Sequence, residues 1–333
     1  MPPAPPIESL ERLGDEFAAL EAPTERKRML VIVNPYATTV SDRLRTLVVY
    51  ALQGRYEVDA TDTEGRGHAT TLCRQAAQEG YDVVVAFGGD GTVNEAANGL
   101  AGSDTSLTCL PGGATNVFHR MLGIPRDIVD ATEHLLRLAD TWRPRKVDLA
   151  RVNGRGFTFS AGYGLDASVV RRVDRNPSVK ARLRQWYFAY AAVSSFCREY
   201  VVHPPRIDVR AAGTEGGSVR GITAIVQNGD PFTYFRQRPL HLAENVALDS
   251  GTVSAAVLER ATPIDIPTVT ARLLSSRLRV ADHRRVTVFD ELTTLTMRSA
   301  DGRPIPLEVD GDYIGDTVEA VFSIDPGALS VVA

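Results

Sequence analysis

The sequence predicts a doubly wound α/β domain followed by a β-rich, sandwich-like domain, and three observations carry that reading. Between residues 29 and 139, short apolar runs alternate with stretches of helical periodicity. The run DVVVAF at 82–87 is apolar on both faces, as a buried parallel strand must be, and passes directly into Gly88-Gly89-Asp90-Gly91. After residue 147 the texture changes to short alternating runs separated by Gly, Pro and Asp. The chain has 333 residues, which at roughly 150 per domain gives two domains.

Taken in order, residues 1–28 form a Pro-rich extension in which Ile7, Leu10, Leu13, Phe17 and Leu20 have helical spacing, predicting a short amphipathic helix. Residues 29–33 read as a strand, Ser41 caps a helix running to about residue 53, and 56–60 alternates as a second strand. A helix over 67–78, the strand 82–87, the strand SLTCL at 106–110 and a helix over 127–139 complete the α/β layer, 29–145. The segment WRPRK at 142–146 marks the boundary. Runs such as RIDVRAAG, GTVSAAVLE and IPLEVDG then predict closely spaced antiparallel strands over 146–325, interrupted by one long helical pattern at 178–200. Residues 326–333 read as a tail.

Composition excludes several classes. With 37 Lys and Arg against 41 Asp and Glu, the net charge of −4 does not fit a protein that coats nucleic acid. Three widely spaced cysteines, Cys73, Cys109 and Cys197, read as reduced thiols. The amino terminus lacks the basic and apolar regions of a secretory signal, and no apolar run reaches the roughly 18 residues a membrane helix needs. The expected location is cytoplasmic, with peripheral visits to the inner face of the membrane.

The glycine turns carry the chemistry. Glycine admits close approach of a ligand, and a helix that starts at once aims N–H groups and a positive dipole end at it. Gly88-Gly89-Asp90-Gly91-Thr92 has this form, and Pro111-Gly112-Gly113-Ala114-Thr115-Asn116 repeats it after the next strand. One Gly-Gly after a strand is merely a tight turn. Two at the carboxyl ends of strands in one sheet predict a phosphate cradle facing a common crevice. Neither turn matches G-x-G-x-x-G or G-x-x-x-x-G-K-[ST], so the dinucleotide fingerprint and the P-loop are both unsupported.

GGDGTVNEAANGL, preceded by VIVNPYA at 31–37 and GHAT at 67–70 and followed by LPGGATNVFHRMLGIP, resembles the diacylglycerol kinase catalytic-domain family, which includes bacterial diacylglycerol kinases and sphingosine kinases. The resemblance covers about residues 29–325 and implies an α/β nucleotide domain and a β-rich domain with ATP in the cleft between them. By position it implies that Asn34 and Pro35, then Gly88, Gly89, Asp90, Gly91, Thr92 and Glu95, then Gly112, Gly113, Thr115 and Asn116 face ATP. The family often continues Asn-Pro with Ser-Gly, where this chain has Tyr36-Ala37-Thr38. His68 in GHA is a further contact candidate, although a lone histidine is more often a packing or capping residue.

Phosphoryl transfer to an alcohol needs in-line positioning, a divalent ion and a carboxylate to take the proton. LEVDGDYIG at 307–315 resembles the family motif whose Asp, Asp310 here, is the general base, with Asp312 in support through Mg²⁺; V-D-G-D is equally a good hairpin turn. Asp90 is the rival base and otherwise orients Mg²⁺–ATP. GYGLDAS at 162–168 resembles a family segment that implies Asp166 lines the lipid headgroup site. NVALDSG at 245–251 resembles a loop that holds a structural Mg²⁺ in some members, which implies Asp249 as a ligand, but Ser250 stands where those members carry a second Asp.

Residues 171–210 hold nine Lys or Arg and three acids, a local net charge of +6, beside Trp186, Tyr187, Phe188, Tyr190 and Phe196. Basic residues with interfacial aromatics predict a lip that visits an anionic membrane, whereas aromatics at helical spacing are also ordinary core. The expected activity is ATP-dependent phosphorylation of a primary hydroxyl on a diacylglycerol-like or sphingoid lipid, in phospholipid metabolism, with ATP and Mg²⁺ as cofactors, no nucleic-acid partner, and room for a homodimer. A kinase of a soluble acceptor such as NAD, and a non-catalytic lipid or nucleotide sensor, are the alternatives.

Overall fold

The computed structural model describes residues 26–174, 204–211, 218–235, 237–262 and 265–333. The amphipathic pattern at the amino terminus, the long helical pattern at 178–200 with its aromatic residues, and Cys197 lie outside them. The chain divides into two compact units, one of residues 1–147 with 327–333, the other of 148–326.

In the first unit, β1 (Arg28–Val33), α1 (Asp42–Leu52), β2 (Glu57–Asp62), α2 (His68–Gln78), β3 (Val83–Gly88), α3 (Asp90–Leu100), β4 (Ser106–Pro111), α4 (Val117–Met121) and α5 (Ile128–Leu138) follow one another. The strands are parallel, in the order β2-β1-β3-β4. Helices α2 and α3 pack together, as do α1 and α5. Right-handed crossovers in this strand order put those pairs on opposite faces of the sheet, a doubly wound layer. Local signals act as the sequence expects: Ser41 accepts from the N–H of Leu44 and Asp127 from that of Val129, each capping a helix. Every residue of β3 and β4 is buried.

The second unit contains β5 (Arg145–Val152, which starts in the first), β6 (Arg155–Phe157), β7 (Ser160–Tyr163), α6 (Leu165–Asp174), β8 (Ile207–Ala211), β9 (Ser218–Gly221), β10 (Thr223–Gln227), β11 (Thr233–Phe235), β12 (Arg238–Leu240), β13 (Val253–Leu258), α7 (Asp265–Leu273), β14 (Val286–Leu292), β15 (Thr294–Ser299), β16 (Ile305–Val309), β17 (Asp312–Thr317) and β18 (Glu319–Val331). A six-stranded antiparallel sheet in the order β14-β13-β10-β7-β16-β17 and an antiparallel set β18-β15-β8-β9 share one core. Tyr163, Val226, Val253 and Leu307 from the first sheet are buried together with Val209, Met297 and Phe322 from the second. Phe157 meets Phe322 edge to face, with centroids 6.3 Å apart.

The carboxyl terminus corrects one expectation. Residues 327–333 are not a tail. The last part of β18 belongs to the first unit, where Val331 pairs in parallel with Leu107, Ser330 Oγ meets Ser106 Oγ at 2.9 Å, and the N–H of Val332 donates to the carbonyl of Leu107. Leu329, Val331 and Val332 are buried there, which is why an apolar end follows the Pro-Gly at 326–327.

Candidate active site

In an open sheet ordered β2-β1-β3-β4, the chain leaves β1 in one direction and β3 in the other, so the switch point lies at the carboxyl ends of β1 and β3, where such folds bind ligands. Asn34 follows β1 and Gly88-Gly89-Asp90 closes β3. The N–H of Asn34 extends the sheet by donating to the carbonyl of Phe87, its Nδ2 donates to Thr92 Oγ1 at 3.1 Å, and its Oδ1 accepts from the N–H of Tyr36. Asn34 therefore ties the loop after β1 to the first turn of α3. Pro35 and Tyr36 are exposed beside it.

The two glycine turns lie against each other. The N–H of Gly112 donates to the carbonyl of Gly88 at 2.8 Å. A Cβ on Gly112 would stand 2.7 Å from Gly88 Cα, and one on Gly113 would stand 2.8 Å from Gly89 Cα. Backbone packs on backbone, so the glycines are demanded by the loops themselves as well as by any ligand. Gly89 caps α3 without a side chain, so no cap oxygen bonds the first-turn amides around Gly91 and Thr92. Asn116, at φ 50°, accepts the N–H of Gly113 and returns Nδ2 to its carbonyl, holding the second turn open to the half-buried Thr115. Asp90 Oδ1 accepts the N–H of Val117 at 2.7 Å, joining the start of α3 to the start of α4.

Two predicted contacts do other work here. Glu95 accepts from the N–H groups of Gly67 and Ala69, capping α2 in place of its side-chain-free cap Gly67. His68 Nδ1 accepts from the N–H of Glu64, the local capping role.

In the second unit, Asp310 and Gly311 occupy a two-residue hairpin between β16 and β17, at φ 49° and 81°, the geometry of a type I′ turn. The Asp310 side chain is 4% exposed. Its Oδ2 accepts from Thr158 N–H at 2.7 Å and Thr158 Oγ at 2.8 Å, and its Oδ1 from the N–H groups of Phe159 and Ser160. A carboxylate offers about four lone-pair directions, and four donors fill them. Asp310, expected to take the alcohol's proton, is here the acceptor that fastens the hairpin to residues 158–160. Asp312, half-buried, opens β17, and Asp166 lies in the first turn of α6.

Sequence reasoning missed the residues around that hub. Glu308, buried, accepts from the N–H of Gly311, and Asn228 Nδ2 bridges the carbonyls of Asp148 and Thr158. The signal was present in Glu308, an acid within an otherwise apolar strand, IPLEV.

The loop at 245–251 does not fit a resident metal ion. Asp249 is exposed, Ser250 Oγ donates within its own turn to the carbonyl of Ala247, and Asp148 accepts from the N–H of Gly251. Among the described residues no group of three His, Cys, Asp or Glu could hold an ion. Cys73 and Cys109 are buried free thiols, and burial pushes Cys73 up to about 12.

Residues 28–152 match the diacylglycerol kinase catalytic domain. Over 145 residues the chain is 38% identical to a diacylglycerol kinase of Bacillus subtilis, covering 41% of this chain and 46% of that protein, so it spans about half the length of this relative. A Staphylococcus aureus diacylglycerol kinase is 28% identical over 298 residues, 87% of each chain. The crystal structure of a diacylglycerol kinase from Bacillus anthracis shares the fold, with a TM-score of 0.68 at 21% identity over 93% of this chain and 98% of that one. Over residues 28–152 this chain is thus similar to the diacylglycerol kinase catalytic domain.

Proposed function

We propose that the chain is a lipid kinase that moves the γ-phosphoryl group of ATP to a primary hydroxyl of a diacylglycerol-like or sphingoid lipid. The observation that carries this reading is the pair of interlocked glycine turns at the switch point of the first sheet, with Asn34 tied to Thr92. Such a site offers backbone N–H groups and a helix amino terminus to phosphate without a P-loop lysine. The diacylglycerol kinases of Bacillus and Staphylococcus to which the chain is similar supply the acceptor class.

ATP would bind as its Mg²⁺ complex, and the ion would supply the charge-spreading on the transferring group. Gly89, Gly91 and Gly113 let the phosphates approach the backbone, and Asn34, Thr92 and Asn116 fix the loops around them. Asp90, anchored by the N–H of Val117, takes the proton of the incoming alcohol in this reading, because the four donors on Asp310 hold that carboxylate in a structural role.

The test incubates the full chain with γ-labelled ATP, Mg²⁺ and separate mixed micelles of diacylglycerol, sphingosine and ceramide, with soluble NAD alongside. Label on one lipid supports the proposal, label on NAD turns it to a soluble acceptor, and no label with retained ATP binding points to a sensor.

A further inference from the structure

We propose that the turn after α7 and the hairpin β11–β12 form a docking surface for an anionic lipid membrane. The proposal rests on the lipid-kinase reading only for its purpose, since the surface itself is built from other residues. Phe235 in the hairpin and Leu274 and Leu278 in the turn are 44%, 40% and 53% exposed, large apolar side chains held in water. Their neighbours show that this is a built feature. Val280 is buried with Leu242 and Ala256, and Leu273, Val269 and Phe232 pack against that cluster, so the turn is anchored from below.

Hydrogen bonds fix what stands above it. Ser275 Oγ accepts from the N–H groups of Arg277 and Leu278, and Arg272 Nη1 donates to the carbonyl of Arg279 at 2.9 Å. Arg238, which faces Phe235 across the hairpin, donates to the carbonyl of Leu274 at 2.7 Å and ties the hairpin to the turn.

The occupant follows from charge. Residues 272–285 contain five arginines and one aspartate, in a protein whose net charge is −4. Arg279 pairs with Glu244 and Arg284 with Asp265, while Arg277, which lies between Leu274 and Leu278 in the sequence, is exposed. Apolar side chains set among arginines suit a surface that is negative outside and hydrocarbon beneath, where the cations meet headgroups and the apolar tips enter the acyl boundary. A second copy of the same cationic patch would be repelled. These residues are distinct in sequence from the basic aromatic segment, whose aromatic residues lie outside the described residues.

The test is co-sedimentation of the full chain, without nucleotide, with phosphatidylcholine vesicles and with vesicles containing phosphatidylglycerol. Wild type is expected to bind the anionic vesicles selectively. Leu274→Glu with Leu278→Glu, and separately Arg277→Glu, should weaken that binding by about tenfold or more, with an unchanged melting temperature. Activity toward a micellar acceptor should be retained by both variants, so failure of the kinase reading would show in wild type and failure of docking only on vesicles. Unchanged vesicle binding in the variants, no selectivity in wild type, or self-association of wild type that the double variant abolishes would overturn the proposal.

Discussion

Asp310 and Asp90 are the same residue type in similar Gly turns, yet their surroundings differ. Asp310 is buried under four donors, and replacing it with Asn turns a two-proton amide group toward donors that need an acceptor. An unsatisfied buried donor costs about 1–3 kcal/mol, so Asp310→Asn should lose at least about 2 kcal/mol in chemical denaturation. A variant as stable as wild type would mean that the hub does not hold residues 158–160. The sequence displayed both acids and even the hairpin that seats one of them. It could not display the four donors, because they sit some 150 positions earlier and reach Asp310 only through the pairing of β7 with β16. The glycines were legible as a turn for the same reason that their loop-to-loop packing was not: φ preference is local, whereas Gly88 against Gly112 is a contact between two strands' ends.

At the scale of elements, the strand, turn and helix sequence of the first unit was readable almost to the residue, since apolar periodicity and caps are local. Glu95 was not, because its partner helix is capped from a distance. Glu95→Ala should cost roughly 1 kcal/mol, as loss of an N-cap does, while ATP affinity in calorimetry stays near wild type; a large loss of affinity would return Glu95 to the nucleotide. Helix α4 carries a buried histidine, His119, whose pKa is lowered to about 4, first by burial and next by the charge of Arg120. The unfolded chain, with an ordinary histidine near 6.5, therefore takes up the proton first as pH falls. Stability is full above about 6.5, declines toward about 4, and is lower by about 2 kcal/mol at pH 5. His119→Gln should lose less stability than wild type between neutral pH and pH 5; equal losses would assign the acid sensitivity to other groups.

At the scale of the whole molecule, the change of texture near residue 145 was legible because parallel and antiparallel strands bury different faces. The return of the last residues was not, since nothing local distinguishes a strand that closes another unit's sheet from an apolar tail. Removing residues 327–333 strips buried Leu329, Val331 and Val332 from beside β4. At about 1.5–3 kcal/mol for each buried side chain, the truncated chain should melt far below the full one or fail to stay soluble. A truncation with an unaltered melting profile would make the strand dispensable.

The most direct measurement compares wild type with Asp90→Asn for transfer of γ-label from Mg²⁺–ATP to lipid in mixed micelles, with ATP binding measured beside it. The account predicts labelled lipid from wild type, a loss of at least about 10²-fold in turnover for the variant, and ATP binding in both. Wild type that labels no lipid while binding ATP, or a variant with normal turnover, would contradict it.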